Sequence, residues 1–493
     1  MQRASLKMLL LLVAVLAAPG CRKPVHFPAE PAFAKRTMRA FNTSGGEQPD
    51  FFLLPDATGR VTRIGYDTTG DGRPDDLVCL DEIPLSECTH LVLILDGYGY
   101  DLMREYYDAG GLRLLHPPSR VVATYPTLTD LCLADALALG PLRAFEAQYF
   151  DRDENELAGG SGDYMEGANM PYNRILQYRA GMLWDALGYL YPKDTFGKEL
   201  NDAKRAWDAA APGRKEFLAY FVSSAGIGTK YGAAGQRESL RQFERLVLQI
   251  LQETRGRVKV TVLADHGHSY TESRPIALEE HLQQAGWRRG RSLQAPKDYV
   301  FVQFGLVTYA ALWSDSPAAL AADAADCEGV ELASRVEAGR VVVAAGGGQE
   351  ARIGKTPGGY TYEPLRGDPL KLRPILANLT PDAHGAYDAR ALLAATATHE
   401  YPAPLQRLWR AHMDEQLARH RPDVIVSIAD GWFSGAGGFA GSVKVASTHG
   451  GLNYNNSATF IQSSLGPLPP VLRSANIPAA ISALTGRAFP LKR

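Results

Sequence analysis

Apolar and polar positions fall into blocks along this chain. Four near-continuous apolar runs stand out: Leu91 to Leu95, Phe217 to Val222, Val258 to Ala264 and Val424 to Ile428. Runs of this length, rich in branched residues, predict strands buried on both faces, as in a parallel sheet. Each run stops at polar residues: Asp96-Gly97, Ser223-Ser224, Asp265-His266-Gly267 and Asp430-Gly431. Between the runs, apolar residues recur at helical spacing. Leu240, Phe243, Leu246, Val247, Ile250 and Leu251 form one stripe over Arg237 to Glu253, and similar patterns cover Leu137 to Gln148 and Ile175 to Tyr189. Strands alternating with helices predict an α/β sheet, whose ligands gather just beyond the strand C-termini.

Two stretches break this rhythm. Before His90, Phe51 to Leu54, Val61 to Tyr66 and Leu77 to Leu80 predict short strands around turns. From about residue 295 to 425, Val300 to Gln303, Leu306 to Leu312, Val341 to Ala345 and Tyr360 to Tyr362 predict strands. An Ala-rich stretch from Ala318 to Ala325 and segments around Leu392 and from Leu405 to Arg419 predict helices. The organisation that follows is a small β segment at 51–88, a core at 89–294, an inserted α+β cap at 295–422, and a second core part at 423–493. Gly354-Lys355-Thr356 ends like a phosphate-binding loop, but Gln349 stands where its first glycine would be, which rejects that reading.

Composition narrows the class. The chain has 493 residues, 45% of them hydrophobic and 22% charged, as in an ordinary globular protein long enough for one large α/β domain with insertions. A formal net charge of -2 provides no basic field, so no nucleic-acid polymer is expected as a partner.

The N-terminus adds an address. Arg3 and Lys7 precede an apolar run from Met8 to Ala18, too short to span a bilayer, and Ala17, Ala18, Pro19 and Gly20 lead into Cys21. This resembles a bacterial lipoprotein signal: residues 1–20 are removed and a lipid is attached to Cys21, with an ordinary secretory signal as the alternative. Residues 21–50, rich in Pro, Ala and basic residues, read as a tether. The expected location is the cell envelope, with Arg22 after Cys21 favouring the outer membrane facing the periplasm. In such a compartment Cys79 and Cys88 are the best candidate disulfide pair, with free buried thiols as the alternative for Cys79, Cys88, Cys132 and Cys327.

Asp67 to Asp76 carries oxygen-bearing side chains at alternate positions around Gly72, an order suited to Ca²⁺. Asp67, Thr69, Asp71 and Asp75 would be its ligands. The twelfth position is Val78, which lacks the closing carboxylate, and a polar hairpin turn is the competing reading.

The chemistry lies in the strand-end groups taken together: Asp96, the turn from Tyr125 to Asp130, Asp265-His266 and Thr448-His449-Gly450. A single Asp or His after a strand is ordinarily a turn or capping residue. Carboxylate, imidazole and hydroxyl delivered from several segments are the donor set of a zinc-like ion. A metal beside a threonine oxygen would activate it as a nucleophile.

The order Asp-Gly after a strand, Pro-Thr-x-Thr, Asp-His-Gly and then Thr-His-Gly resembles the phosphodiesterase/nucleotide pyrophosphatase members of the alkaline phosphatase superfamily, over roughly 90–290 and 425–485. The resemblance implies a three-layer α/β/α sandwich with the cap inserted. It implies hydrolysis of a phosphoric ester, monoester or diester, with a small phosphoester or an envelope phospho-compound as substrate. Thr129 would be the nucleophile, with Thr127 as fallback. Asp96, Thr129, Asp265 and His266 would hold one Zn²⁺, and His449 would belong to a second. The family's Asp-x-x-Gly-His element falls on Ser224 to Gly232. There Ala225 replaces Asp and Thr229 replaces His, so the second ion lacks two of its ligands. Asp130 and Leu131 likewise replace a Phe-Pro-Asn pattern. Three readings stay open: a single-metal enzyme, a site completed by His268 or Asp430, or a degenerate relative that binds without turnover. Phospho-headgroup transfer would use the same residues with a different acceptor. Asn453, Asn455 and Asn456 are candidate pocket or turn residues, and Tyr98 and Tyr100 are candidates for stacking or packing.

Overall fold

The structure is a computed structural model and describes residues 25–210, 213–435 and 444–491. Cys21 and the leader at 1–20 lie outside the described residues. No described helix is long and apolar enough to cross a membrane.

The core sheet has six strands in the order Glu216–Phe221, Thr89–Leu95, Val258–Ala264, Ala458–Ser463, Ser119–Val122 and Val471–Arg473. Only Ala458–Ser463 runs against its neighbours. Alternation along each strand sends side chains to opposite faces. Leu91, Leu93 and Leu95 pack with Phe243, Leu246 and Ile250 of the helix Ser223–Glu253 and with Phe196 and Leu200 of the helix Pro192–Ala210. Val92 and Ile94 pack on the other side with Leu133 of the helix Thr129–Ala136 and with Ile477 and Ile481. The core is therefore a three-layer α/β/α sandwich, as expected.

A second sheet has eight strands, in the order Arg288–Gly290, Asp298–Val302, Tyr309–Trp313, Val424–Ile428, Val330–Glu337, Arg340–Ala345, Gln349–Thr356 and Gly359–Arg366. The grouping of Val424–Ile428 with the core needs correction. This strand pairs with Tyr309–Trp313 and Val330–Glu337 at the centre of the second sheet. Its all-apolar run reports burial between layers, which either sheet satisfies. The segment Leu137 to Gln148 also departs from its helical pattern. After the helix Thr129–Ala136 the chain forms the short strands Leu142–Ala144 and Gln148–Asp151.

Part of the segment read as a tether is built into the fold. Phe33–Lys35 and Met38–Phe41 join Phe51–Pro55, Val61–Tyr66 and Asp76–Cys79 in a five-stranded antiparallel sheet. Phe27 is buried against Phe41 and Phe51, with ring centroids 4.9 and 5.9 Å away. The Arg245 guanidinium donates to the Phe27 carbonyl at 2.7 Å.

Cys79, Cys88, Cys132 and Cys327 are free thiols, so the Cys79–Cys88 pairing is corrected to the alternative. In the Asp67–Asp76 loop the carboxylates are occupied by the loop's own backbone. Asp67 accepts from the N–H of Thr69, Gly70 and Gly72, and Asp75 from those of Thr68 and Thr69. The carboxylates of Asp67, Asp71 and Asp75 do not converge to within 4.8 Å. These bonds account for the hairpin turn by themselves.

A candidate metal and nucleophile site at the core sheet edge

Register builds the site. Leu95 lies opposite both Ala264 and Phe221, so Asp96 and Asp265 leave adjacent strands at the same level. Ser119–Val122 runs the same way and delivers the turn that starts the helix at Thr129. Because Ala458–Ser463 is antiparallel, its N-terminal end lies at this same edge, and the preceding loop brings His449 there.

Asp96, Asp265 and His266 are fully buried, with ligand atoms within 4.8 Å of one another; among the described residues they are the one such group of three. His266 Nε2 is 3.4 Å from Asp96 Oδ1, 3.4 Å from Asp265 Oδ2 and 3.2 Å from Thr129 Oγ1. Thr129 Oγ1 is 3.5 Å from Asp96 Oδ1. The sequence-predicted quartet is thus brought together.

Asp265, Asp96 and His266 are held from behind. Asp265 Oδ1 accepts the N–H of Gly97 at 3.0 Å and of His266 at 2.9 Å. Asp96 Oδ2 accepts the hydroxyl of Tyr220. His266 Nδ1 is 2.9 Å from the Gly267 carbonyl oxygen. A carbonyl only accepts, so the proton sits on Nδ1 and Nε2 presents a lone pair. That lone pair faces two carboxylate oxygens, and Asp265 Oδ2 has no hydrogen-bond partner among the described residues. Buried acceptors pointed at one another are costly unless a cation lies between them. Burial pushes the Asp265 carboxyl up to about 7, against two opposing backbone N–H bonds, and pushes His266 down to about 4. The donor set fits a single divalent ion of the zinc class.

The second ion is not supported in the same way. His449 donates from Nδ1 to the Thr127 carbonyl at 2.8 Å and stacks on His266 with centroids 3.9 Å apart. Ala225 and Thr229, which stand where its two partner ligands would be, lie in the first turns of the helix Ser223–Glu253, which breaks at Gly232 with φ 58°. His268 fills the space above Gly97 and Gly228: a Cβ on Gly228 would lie 3.1 Å from its Nε2. His268 Nδ1 bonds the Ser447 hydroxyl, and its buried Nε2 has no hydrogen-bond partner among the described residues. No group of three ligands forms around His268 or His449 among the described residues. Asp430 is clamped by the side-chain amides of Asn453, Asn455 and Asn456 at 3.0, 2.8 and 3.0 Å, so it serves that turn and does not complete a metal site. Thr127 is likewise a turn residue, accepting the Gly450 N–H at 2.8 Å and donating to the Gly451 carbonyl. Tyr98 is buried with its hydroxyl on Ser239, a packing role.

A cavity of about 330 Å³ opens beside Thr129 and Asp96. Phe145, Tyr164, Tyr172, Tyr189 and Phe304 supply rings to its wall, and Asp130, Glu146 and Arg179 supply charge. Burial raises Asp130 to about 6, although Tyr172 and Asn169 donate to it. A larger cavity, about 910 Å³, lies at the opposite end of the core strands around Thr89 and Phe217, away from these groups. Sequence reasoning missed Tyr220 and the cavity residues between 142 and 190. Tyr220 was legible in principle, since it faces the same side as Leu218 in its strand. The segment 142–190 carries short, weakly periodic elements that point nowhere until packed.

No family model matches the chain, and no curated protein matches it. Among solved structures, it is similar to murine ectonucleotide pyrophosphatase/phosphodiesterase 5 at 10% identity, with 82% of this chain and 97% of that chain covered and a TM-score of 0.41. The human protein of that name matches at 10% identity, 82% and 96% coverage and a TM-score of 0.41. An inactive variant of the murine protein in complex with AMP matches at 11%, 82% and 97%, and 0.40. A likeness this distant leaves the chemistry to be read from the site's own residues.

Proposed function

We propose that this protein is a metal-dependent hydrolase of phosphoric esters with Thr129 as nucleophile. The observation that carries the reading is Thr129 Oγ1 at 3.2 Å from His266 Nε2 and 3.5 Å from Asp96 Oδ1, beside the unpaired Asp265 Oδ2. The motif order shared with the phosphodiesterase/nucleotide pyrophosphatase group supports the same residues in the same roles. Asp96, Asp265, His266 and Thr129 would hold one zinc-class ion, whose charge would acidify the Thr129 hydroxyl and offset charge on a phosphoryl oxygen.

The chain's own groups do the rest. Thr129 is the first residue of its helix, and no side chain caps that end. The N–H groups of a first turn have no intrahelical acceptor and form a cradle for a non-bridging phosphoryl oxygen. Backbone bonds to Asp265 and His266 and the Tyr220 bond to Asp96 fix these groups before substrate arrives. Thr129 Oγ1 gives up its proton to solvent as it bonds to phosphorus, the P–O bond to the ester oxygen breaks and that oxygen takes up a proton, and water then cleaves the Thr129–phosphoryl bond, releasing the phosphate and returning a proton to Oγ1.

Ala225 and Thr229 favour a second reading, a relative that binds phosphoesters without turning them over. Loss of one such charge costs roughly 10²–10³ in rate. Phospho-headgroup transfer would differ only in the acceptor. The test is metal analysis of purified protein together with hydrolysis of p-nitrophenyl phosphate and bis-p-nitrophenyl phosphate. The expected outcome is a tightly bound divalent ion and turnover abolished by Thr129→Ala. Activity indifferent to that substitution removes Thr129 from the mechanism, and bound metal without activity favours the binding reading. A lipid on Cys21 would hold the enzyme at the cell envelope; fractionation of a Cys21→Ser variant checks this, and a variant that stays in the membrane fraction argues against it.

A further inference from the structure

We propose that the end of the core opposite Thr129 docks on a membrane, where the cavity around Thr89 and Phe217 takes the headgroup and upper acyl chain of an anionic phospholipid. The inference goes beyond the hydrolase reading and does not depend on it.

The cavity sets unpaired cations beside an apolar wall. Arg214, Lys215 and Arg257 line it and are exposed. None of them forms an ion pair among the described residues. Their backbones are fixed on either side of the strand Thr89–Leu95. The Arg214 carbonyl accepts the Thr89 hydroxyl at 2.8 Å, and the Lys215 carbonyl accepts the His90 N–H at 3.0 Å. On the other side Arg257 directly precedes the strand Val258–Ala264. Two strand spacings, about 10 Å, separate these backbones, a gap that side chains of this length close around one phosphate. The acids of the wall do not cancel them. Lys204 binds both Asp208 and Glu253 at 2.7 Å, which leaves Glu87 as the remaining acid.

The apolar part is aromatic. Trp207, half-buried, meets the buried Phe217 edge-on, with centroids 5.4 Å apart and planes at 76°. A free phosphate would leave these rings wet, whereas a phospholipid covers them, and a tryptophan at the border of water and hydrocarbon is the usual anchor there.

The chain's own path points the same way. The His26 N–H donates to the Gln249 side chain at 3.0 Å, and Gln249 donates to Glu253, on the cavity wall, at 2.9 Å. Chain length alone keeps Cys21, five residues earlier, within about 18 Å of His26. A lipid on Cys21 would therefore enter the bilayer beside this cavity. Asp96 follows the far end of the strand Thr89–Leu95, about 23 Å away, so the Thr129 site faces the aqueous phase.

The experiment mixes the full chain with vesicles of phosphatidylglycerol or phosphatidylcholine, each brominated in the upper acyl chain, and reads tryptophan emission. A lipid on Cys21 would hold the chain on either vesicle, whereas docking is read at Trp207. Phosphatidylglycerol should quench a component of the emission that Trp207→Phe removes, and phosphatidylcholine should not. The phenylalanine keeps a ring against Phe217, so urea unfolding of this variant should match the wild type. Arg214→Gln combined with Arg257→Gln keeps Trp207 and should raise the phosphatidylglycerol fraction needed for half-maximal quenching several-fold, each cation near an anionic surface contributing roughly fivefold to partitioning. Quenching that survives Trp207→Phe, equal quenching by the two lipids, or none by either overturns the proposal. Calorimetric titration with inorganic phosphate separates the other source of the same chemistry: saturable binding that the double variant removes, without quenching by phosphatidylglycerol, overturns the membrane assignment in favour of a soluble phosphate.

Discussion

Replacing Asp265 with Asn should make the metal-free protein more stable and the metal-bound protein less so. The amide oxygen can still accept from the N–H groups of Gly97 and His266, which now meet Asp265 Oδ1 at 3.0 and 2.9 Å. The amide nitrogen then faces the His266 Nε2 lone pair, 3.4 Å away in the wild type, as a donor. The charge it replaces is expensive. Burial moves this carboxyl from 3.8 to about 7, and at roughly 1.4 kcal/mol per pKa unit that is about 4 kcal/mol against the ionised form. The folded wild type holds this proton more tightly than the unfolded chain. Between about pH 4 and 7 its contribution to stability therefore falls as pH rises. His266 contributes the opposite slope: its folded value, about 4, lies below 6.5, so its contribution rises with pH between those values. The Asn variant removes the first slope and keeps the second. Urea unfolding in EDTA should show a variant advantage that is small below pH 4 and approaches about 4 kcal/mol at pH 8. Zinc at about 100 times Kd should add roughly 3 kcal/mol to the wild type and much less to the variant, reversing their order. A variant less stable than the wild type in EDTA at pH 8, or equally stabilised by zinc, would refute the argument that Asp265 is a buried charge awaiting a cation.

Tyr220→Phe removes the hydroxyl that orients Asp96 and leaves the ring against Tyr172; zinc affinity should fall about 10- to 100-fold in competition with a chromogenic chelator, with unfolding of the metal-free protein little changed. Phe27→Ala opens a hole between Phe41 and Phe51 and should cost about 3–5 kcal/mol in the urea unfolding of the full chain, whereas a solvated tether would register nothing.

Much of the molecule was readable from order and periodicity alone. The runs at 91–95, 217–222 and 258–264 became core strands. The polar residues ending two of them became the buried Asp96, Asp265 and His266. The stripe from Leu240 to Leu251 became the buried face of a helix on that sheet. These features are local: an uninterrupted apolar run is buried wherever it goes, and a polar residue at its end emerges at a sheet edge. What required the tertiary structure is the choice of neighbour. The level pairing of Leu95 with Ala264, the reversed strand that returns His449 to the edge, the placing of Val424–Ile428 in the second sheet and the capture of Asp430 by three asparagines all depend on contacts distant in sequence. So does the burial of Phe27, whose segment is compositionally a linker and becomes structure only because an aromatic cluster receives it. Periodicity reports that a side chain leaves water; the packed chain determines which groups replace the water, and that choice of partner brings four side chains from three segments around one point.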